Sequence, residues 1–181
     1  RKYFQGKTSI SLLSAQTTLE GPFYNGAWLL SARRTYFDYL LPKILPAETA
    51  EKIPPYYFYD LQGHVFSDLN EKDRISVSIY RGIDDLIFDN LGLTADWGNN
   101  THSLSLRRVF NENLVGNFLV ASSEFFTNFN LGGDDGLNSE NKILDQTLSG
   151  NLAFFQSSDL EWRAGAQIKQ LDFKYLNTFL E

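Results

Sequence analysis

The chain has 181 residues, a formal net charge of -6 and no cysteine. A net acidic chain argues against nucleic acid as a partner, because a phosphate backbone requires a basic stripe. Without cysteine there is no disulfide, no thiolate metal site and no thiol nucleophile, and no run reaches the roughly 18 apolar residues of a membrane helix.

Read in chain order, period-2 alternation of apolar and polar residues recurs and predicts eight strands. They lie at roughly 7–20, 26–41, 55–69, 74–88, 97–110, 114–131, 144–156 and 160–175. In the third, Tyr57, Tyr59, Leu61 and Val65 alternate with Asp60, Gln62 and His64. In the fourth, Ile75, Val77 and Ile79 share one face. In the seventh, Leu148, Leu152 and Phe154 oppose Ser149, Asn151 and Ala153. In the last, Leu160, Trp162, Ala164, Ala166 and Ile168 oppose Glu161, Arg163, Gln167 and Lys169. The stretch Leu114–Phe126 alternates poorly, and its faces stay open.

The connections alternate short and long. Gly21–Asn25, Asn70–Asp73, Asn111–Asn113 and Ser157–Asp159 are short; Pro42–Pro54, Asp89–Asp96 and Gly132–Ile143 are longer. Outer-membrane barrels show this beat because one end faces the periplasm and the other the outside. Pro46–Ile53 suggests a short helix in the first long loop, stopped by Pro54-Pro55. The mean hydropathy of -0.28 is no objection, because a barrel hides its apolar band at every second residue. Aromatics at 15 % suit girdles at the two membrane interfaces. The expected fold is therefore all-β, an antiparallel transmembrane barrel of the Gram-negative outer membrane. No basic, then apolar, leader opens the sequence at Arg1, so 1–181 is read as a mature chain or part of one, all of it one barrel domain.

Particular segments carry a resemblance. Leu19-Glu20-Gly21-Pro22 leads into Ser31-Ala32-Arg33-Arg34-Thr35-Tyr36-Phe37-Asp38; Tyr56-Tyr57-Phe58-Tyr59-Asp60-Leu61 and Asp96-Trp97-Gly98-Asn99, then Ser105-Leu106-Arg107, follow in order. This series resembles the barrel of TonB-dependent outer-membrane receptors, in the branch with a carboxypeptidase-regulatory-like domain before the plug. The resemblance implies a plugged barrel of about 22 strands, of which these residues would be about a third, with no plug domain among them. It implies active uptake of a scarce substrate, whether small molecule, glycan or peptide. The implied partners are the lipid bilayer, the TonB complex through the plug, and a surface lipoprotein. Arg108 departs from the pattern, which favours an aromatic there.

By alternation, Arg33, Asp60, His64, Arg107, Glu161, Arg163 and Lys169 are candidates to face the lumen and touch substrate or plug. For any one of them, a solvated polar wall is the simpler account. Asp60 and His64 share a strand parity and could orient a base, but no Gly-x-Ser-x-Gly elbow accompanies them, and the chain is read as non-enzymatic. Gly132-Gly133-Asp134-Asp135-Gly136 does not match a calcium loop, so neither metal nor cofactor is expected, and Asp84-Asp85 reads as solvated. Most tryptophans are expected at the headgroup level, Trp162 in the periplasmic girdle. Competing readings are a complete eight-stranded outer-membrane barrel with a structural role, a lipid-modifying barrel enzyme, and a soluble ligand-binding barrel with its faces reversed.

Overall fold

The computed structural model describes residues 3–50, 55–88, 92–133 and 136–178. It holds nine strands: β1 (Gln5–Ile10), β2 (Ser14–Phe23), β3 (Gly26–Thr35), β4 (Tyr56–Asp68), β5 (Asp73–Phe88), β6 (Leu93–Asn111), β7 (Leu114–Leu131), β8 (Leu137–Phe155) and β9 (Glu161–Thr178). Two helices, α1 (Phe37–Ile44) and α2 (Ala47–Ala50), lie between β3 and β4. The strands form one sheet in sequence order, every neighbouring pair antiparallel, with β1 and β9 as open edges. The ladder is nearly unbroken; the one register shift falls at Val109/Asn111.

Several expectations are corrected. There are nine strands, because the segment 7–20 folds back on itself at Ser11-Leu12-Leu13. The Ser11 hydroxyl accepts the Leu13 and Ser14 amides there, which closes a tight turn. The strand expected over 26–41 ends at Thr35, and the aromatic run after it winds into α1. Arg34, near the end of β3, pairs with Asp38 in the first turn of α1 at 2.8 Å, and Asp38 and Lys43 suit the two ends of the helix dipole. Pro42 inside this helix has no amide to return to Asp38, which keeps it short. The expected helix 46–53 is reduced to α2, and 51–54 lie outside the described residues. The long connections also shrink: β6 begins at Leu93 and β8 at Leu137. Only 36–55 remains long, so the short–long beat is weaker than the sequence implies.

In an antiparallel pair, directly opposed residues share a face. The register therefore carries one face across the whole sheet. Trp28 opposes Val65, Val65 opposes Val77, Val77 opposes Leu104, Leu104 opposes Val120, Val120 opposes Leu148, and Leu148 opposes Ile168. This is an apolar band. It continues through Leu106–Phe118 and Leu152–Ala164 toward the short-turn end. Across the register it drifts: the row through Ala166, Gly150, Phe118, Leu106 and Ile75 ends at Ser67 on β4, where the apolar residues sit higher, at Leu61 and Val65. Such drift is what tilted strands produce when a band lies level. Toward the other end the same face turns polar, with Arg81, Asn100, Glu124 and Asp172. The register also settles β7: Phe118 and Val120 belong to the apolar face, Leu119 and Ala121 to the opposite one.

No second layer covers either face among the described residues. Among the described residues Ala27 is the one buried hydrophobic residue. The accessible surface is 12702 Å², whereas a compact soluble chain of this mass should expose about 8,900 Å². Val120, Leu148 and Ile168 are 54 %, 53 % and 70 % exposed. A soluble domain needs a second layer against such a face.

Candidate functional site: a carboxylate–aromatic cluster on the polar face

Behind the band, the opposite face is lined by short hydroxyl side chains and paired charges; farther along β9 it also carries Leu171, Phe173 and Tyr175. Ser76, Ser103 and Ser105 take it on β5 and β6, Ser149 and Asn151 on β8. All the candidate residues sit on this face: Arg33 opposes Asp60, His64 opposes Ser78, Arg107 opposes Arg74, Lys169 opposes Thr147, and Glu161 and Arg163 precede Lys169 at even spacing.

They do not form one site. Arg33 and Asp60 meet: the Arg33 Nε donates to Asp60 Oδ2 at 2.7 Å. The other carboxylate oxygen accepts the Tyr80 hydroxyl at 2.8 Å. Gly82, opposite Asp60, makes this possible; a Cβ there would lie 2.5 Å from the Tyr80 hydroxyl and 3.1 Å from Asp60 Oδ1. The Arg33 guanidinium lies 4.8 Å from the centre of the Phe58 ring. Beyond Phe58, Tyr56 stacks near Trp97 with centroids 6.4 Å apart and planes at 23°. The Tyr56 hydroxyl donates to Asp84.

The result is a patch of four rings, two carboxylates and one guanidinium at the end of the sheet that carries the connection 36–55. Asp60 is neutralised by Arg33, whereas Asp84 is held by a phenol and has no cationic partner among the described residues. Flat rings beside fixed acceptors can stack a ring-shaped solute and take its hydroxyl or amine hydrogens. Sequence reasoning found Arg33 and Asp60 and missed Tyr56, Phe58, Tyr80, Asp84 and Trp97. Trp97 stands on the polar face, opposite Asp84. Parity with Asp60 could have placed Tyr56 and Phe58, but the partnership across β5 and β6 needed the register.

The remaining candidates are dispersed. His64 Nδ1 lies 2.8 Å from the Ser78 hydroxyl, so Asp60 and His64 do not form a dyad. Arg163 donates to Glu161 through Nε and Nη2 at 2.6 and 3.1 Å, two residues away on one strand. Lys169 donates to Asp145 at 2.6 Å, where Thr147 donates to the other oxygen. Arg107 stands beside Arg74, whose guanidinium is forked onto Asp68 at 2.6 and 2.9 Å. On the apolar face, Arg108 approaches Asp73 at 3.7 Å and the Phe110 ring at 5.6 Å. Trp162 lies on that face too, its indole N–H donating to Gln156 across the last turn. Asp85 accepts the Tyr57 hydroxyl there at 3.2 Å. In the long connection, the Lys43 ammonium sits 3.5 Å from the Tyr39 ring centre and holds the phenol pKa below its ordinary value.

No group of three metal-ligating side chains occurs among the described residues; Asp134 and Asp135 lie outside them. No protein-family model, no curated protein and no solved structure matches the chain.

Proposed function

We propose that these residues are part of the wall of an outer-membrane barrel, and that the parent protein is a TonB-dependent receptor that takes up a scarce solute. One observation carries the membrane reading: nine strands in continuous register present an uncovered apolar band on one side of a single layer and a hydrophilic wall on the other. Lipid is the solvent that suits such a band, and an aqueous lumen suits such a wall. Aromatics stand at both margins of the band, Phe154 and Trp162 below, Tyr59 and Phe126 above. The open edges at β1 and β9 would be closed by further strands, since lipid leaves no unpaired backbone group satisfied. Uptake rests on the sequence resemblance, and the lumen-facing cluster of Tyr56, Phe58 and Trp97 is where the entering solute would first meet rings and carboxylates.

The test is fractionation of the native polypeptide. It is expected to stay with membranes through an alkaline wash and to need detergent for extraction. Recovery in the soluble fraction would refute the proposal.

A further inference from the structure

The upper margin of the apolar band holds an arrangement that neither the wall nor the uptake reading uses. On β5, Ile79 belongs to the band, and Arg81, two residues on, stands directly above it on the same face. Arg81 is exposed and makes no ion pair or hydrogen bond among the described residues. Its neighbours on that face are donors as well: Asn100 opposes Arg81, His102 opposes Ile79, and Ser122 opposes His102. These side chains line one depression together with Leu61 and Ile79. The carboxylate that lines the same depression, Glu124, is already bound to Lys142 at 2.7 Å. A second, more apolar groove begins where the first ends. It shares His102 and Ser122 and runs down over Val77, Leu104, Val120 and Leu148.

We propose that this junction binds a phosphorylated lipid of the outer leaflet, with the phosphate on Arg81 and an acyl chain in the Val77–Leu104–Val120 groove. The inference rests on the membrane reading above. The chemistry is complementary at both ends. A guanidinium fork matches two phosphate oxygens. Asn100, His102 and Ser122 can supply further hydrogen bonds, and the groove beneath offers apolar surface in the direction an acyl chain must run. An unpaired arginine at a lipid–water margin would otherwise have only water there. The long connection 36–55 rises from the same end of the sheet, which puts the junction in the leaflet facing outward by the usual asymmetry of barrel loops.

The test uses the native polypeptide, extracted in mild detergent and placed in phosphatidylcholine nanodiscs doped with lipid A, either phosphorylated or stripped of its phosphates. Retained lipid is counted by native mass spectrometry. The wild type is expected to keep the phosphorylated form preferentially. Arg81→Gln should lose roughly tenfold in retention, the scale of one charge-assisted pair, while Arg81→Lys should lose less, and Arg107→Gln on the opposite face should change nothing. Equal retention of the two lipid A forms, or by Arg81→Gln, in a barrel still inserted in the membrane would overturn the inference and leave the membrane reading standing. Displacement of the lipid by inorganic phosphate alone would mark a site for free anions and overturn it too. A polypeptide that never enters the membrane would overturn both.

Discussion

The two faces of this sheet are made by the same strands with the same hydrogen bonds, yet they handle side chains in opposite ways. On one, Val77, Leu104, Val120, Leu148 and Ile168 form an unbroken row with nothing above them. On the other, charge finds charge: Arg33 with Asp60, Arg74 with Asp68, Arg163 with Glu161, Lys169 with Asp145. A backbone ladder cannot tell one side of the sheet from the other, so the difference is imposed by what each side chain touches. A face that meets water can keep its charges, provided they are hydrated or paired. A stretch of a face that carries neither charges nor a protein layer, as this row does, must meet something apolar.

The sharpest way to break this contrast is to move a charge from one face to the other. Val77→Lys and Ala164→Arg are expected to cost roughly 2–4 kcal/mol near the bilayer midplane and to reduce the assembled, heat-modifiable form on unheated gels. Ser76→Lys, one residue from Val77 but on the other face, should assemble like the wild type. Equal tolerance at all three positions would erase the distinction between the faces. A smaller effect tests the pairing. Asp60→Ala removes the partner of both Arg33 and Tyr80. Because the pair is partly exposed, 45 % at Arg33 and 21 % at Asp60, the loss in chemical-denaturation midpoints should be only about 1 kcal/mol. Gly82→Ala probes the same cluster sterically. The flexible end of Tyr80 can swing away from the new methyl, so the expected cost is that of its one hydrogen bond to Asp60, about 1 kcal/mol or less, and Tyr80→Phe should make Gly82→Ala nearly silent. The slightest effect lies off the sheet. The Lys43 ammonium favours the Tyr39 phenolate, so Tyr39 should ionise at a lower pH than a free phenol in an ultraviolet titration, and Lys43→Ala should return it to the ordinary range.

How much of this was legible depended on where a segment lies relative to the band. Within it, alternation is strict, and β5 and β9 show their faces in sequence: Ile75-Val77-Ile79 and Trp162-Ala164-Ala166-Ile168 need no structure to be sided. Outside it both faces can be polar or both aromatic, so the signal fades although the ladder continues. Residues 137–143, Leu-Asn-Ser-Glu-Asn-Lys-Ile, read as loop for that reason and are strand, paired on both sides by β7 and β9 from Asn138 onward. In β7, Leu119 and Phe125 on the hydrophilic face blur the parity of Phe118 and Val120, and only register with β6 separates them. The turn at Ser11-Leu12-Leu13 was invisible because its two leucines mimic a strand; it is fixed by the Ser11 hydroxyl and by Tyr36, just past the end of β3, whose hydroxyl donates to the Ser11 carbonyl. The carboxylate–aromatic cluster was half legible. Charge named Arg33 and Asp60, but the rings belong to it by cross-strand position.

The claim on which the rest depends is that the Val77–Ile168 row touches lipid. These 181 residues hold no cysteine, so in a cysteine-free background of the reconstituted native polypeptide single cysteines at 77, 104, 120, 148 and 168 and at 76, 103, 121 and 149 can carry spin labels one at a time. The expected result is a period of two: high oxygen and low nickel-complex accessibility along the first set, and the reverse along the second. Accessibility to the nickel complex that is equal on both sets, or higher on the first, would contradict the account.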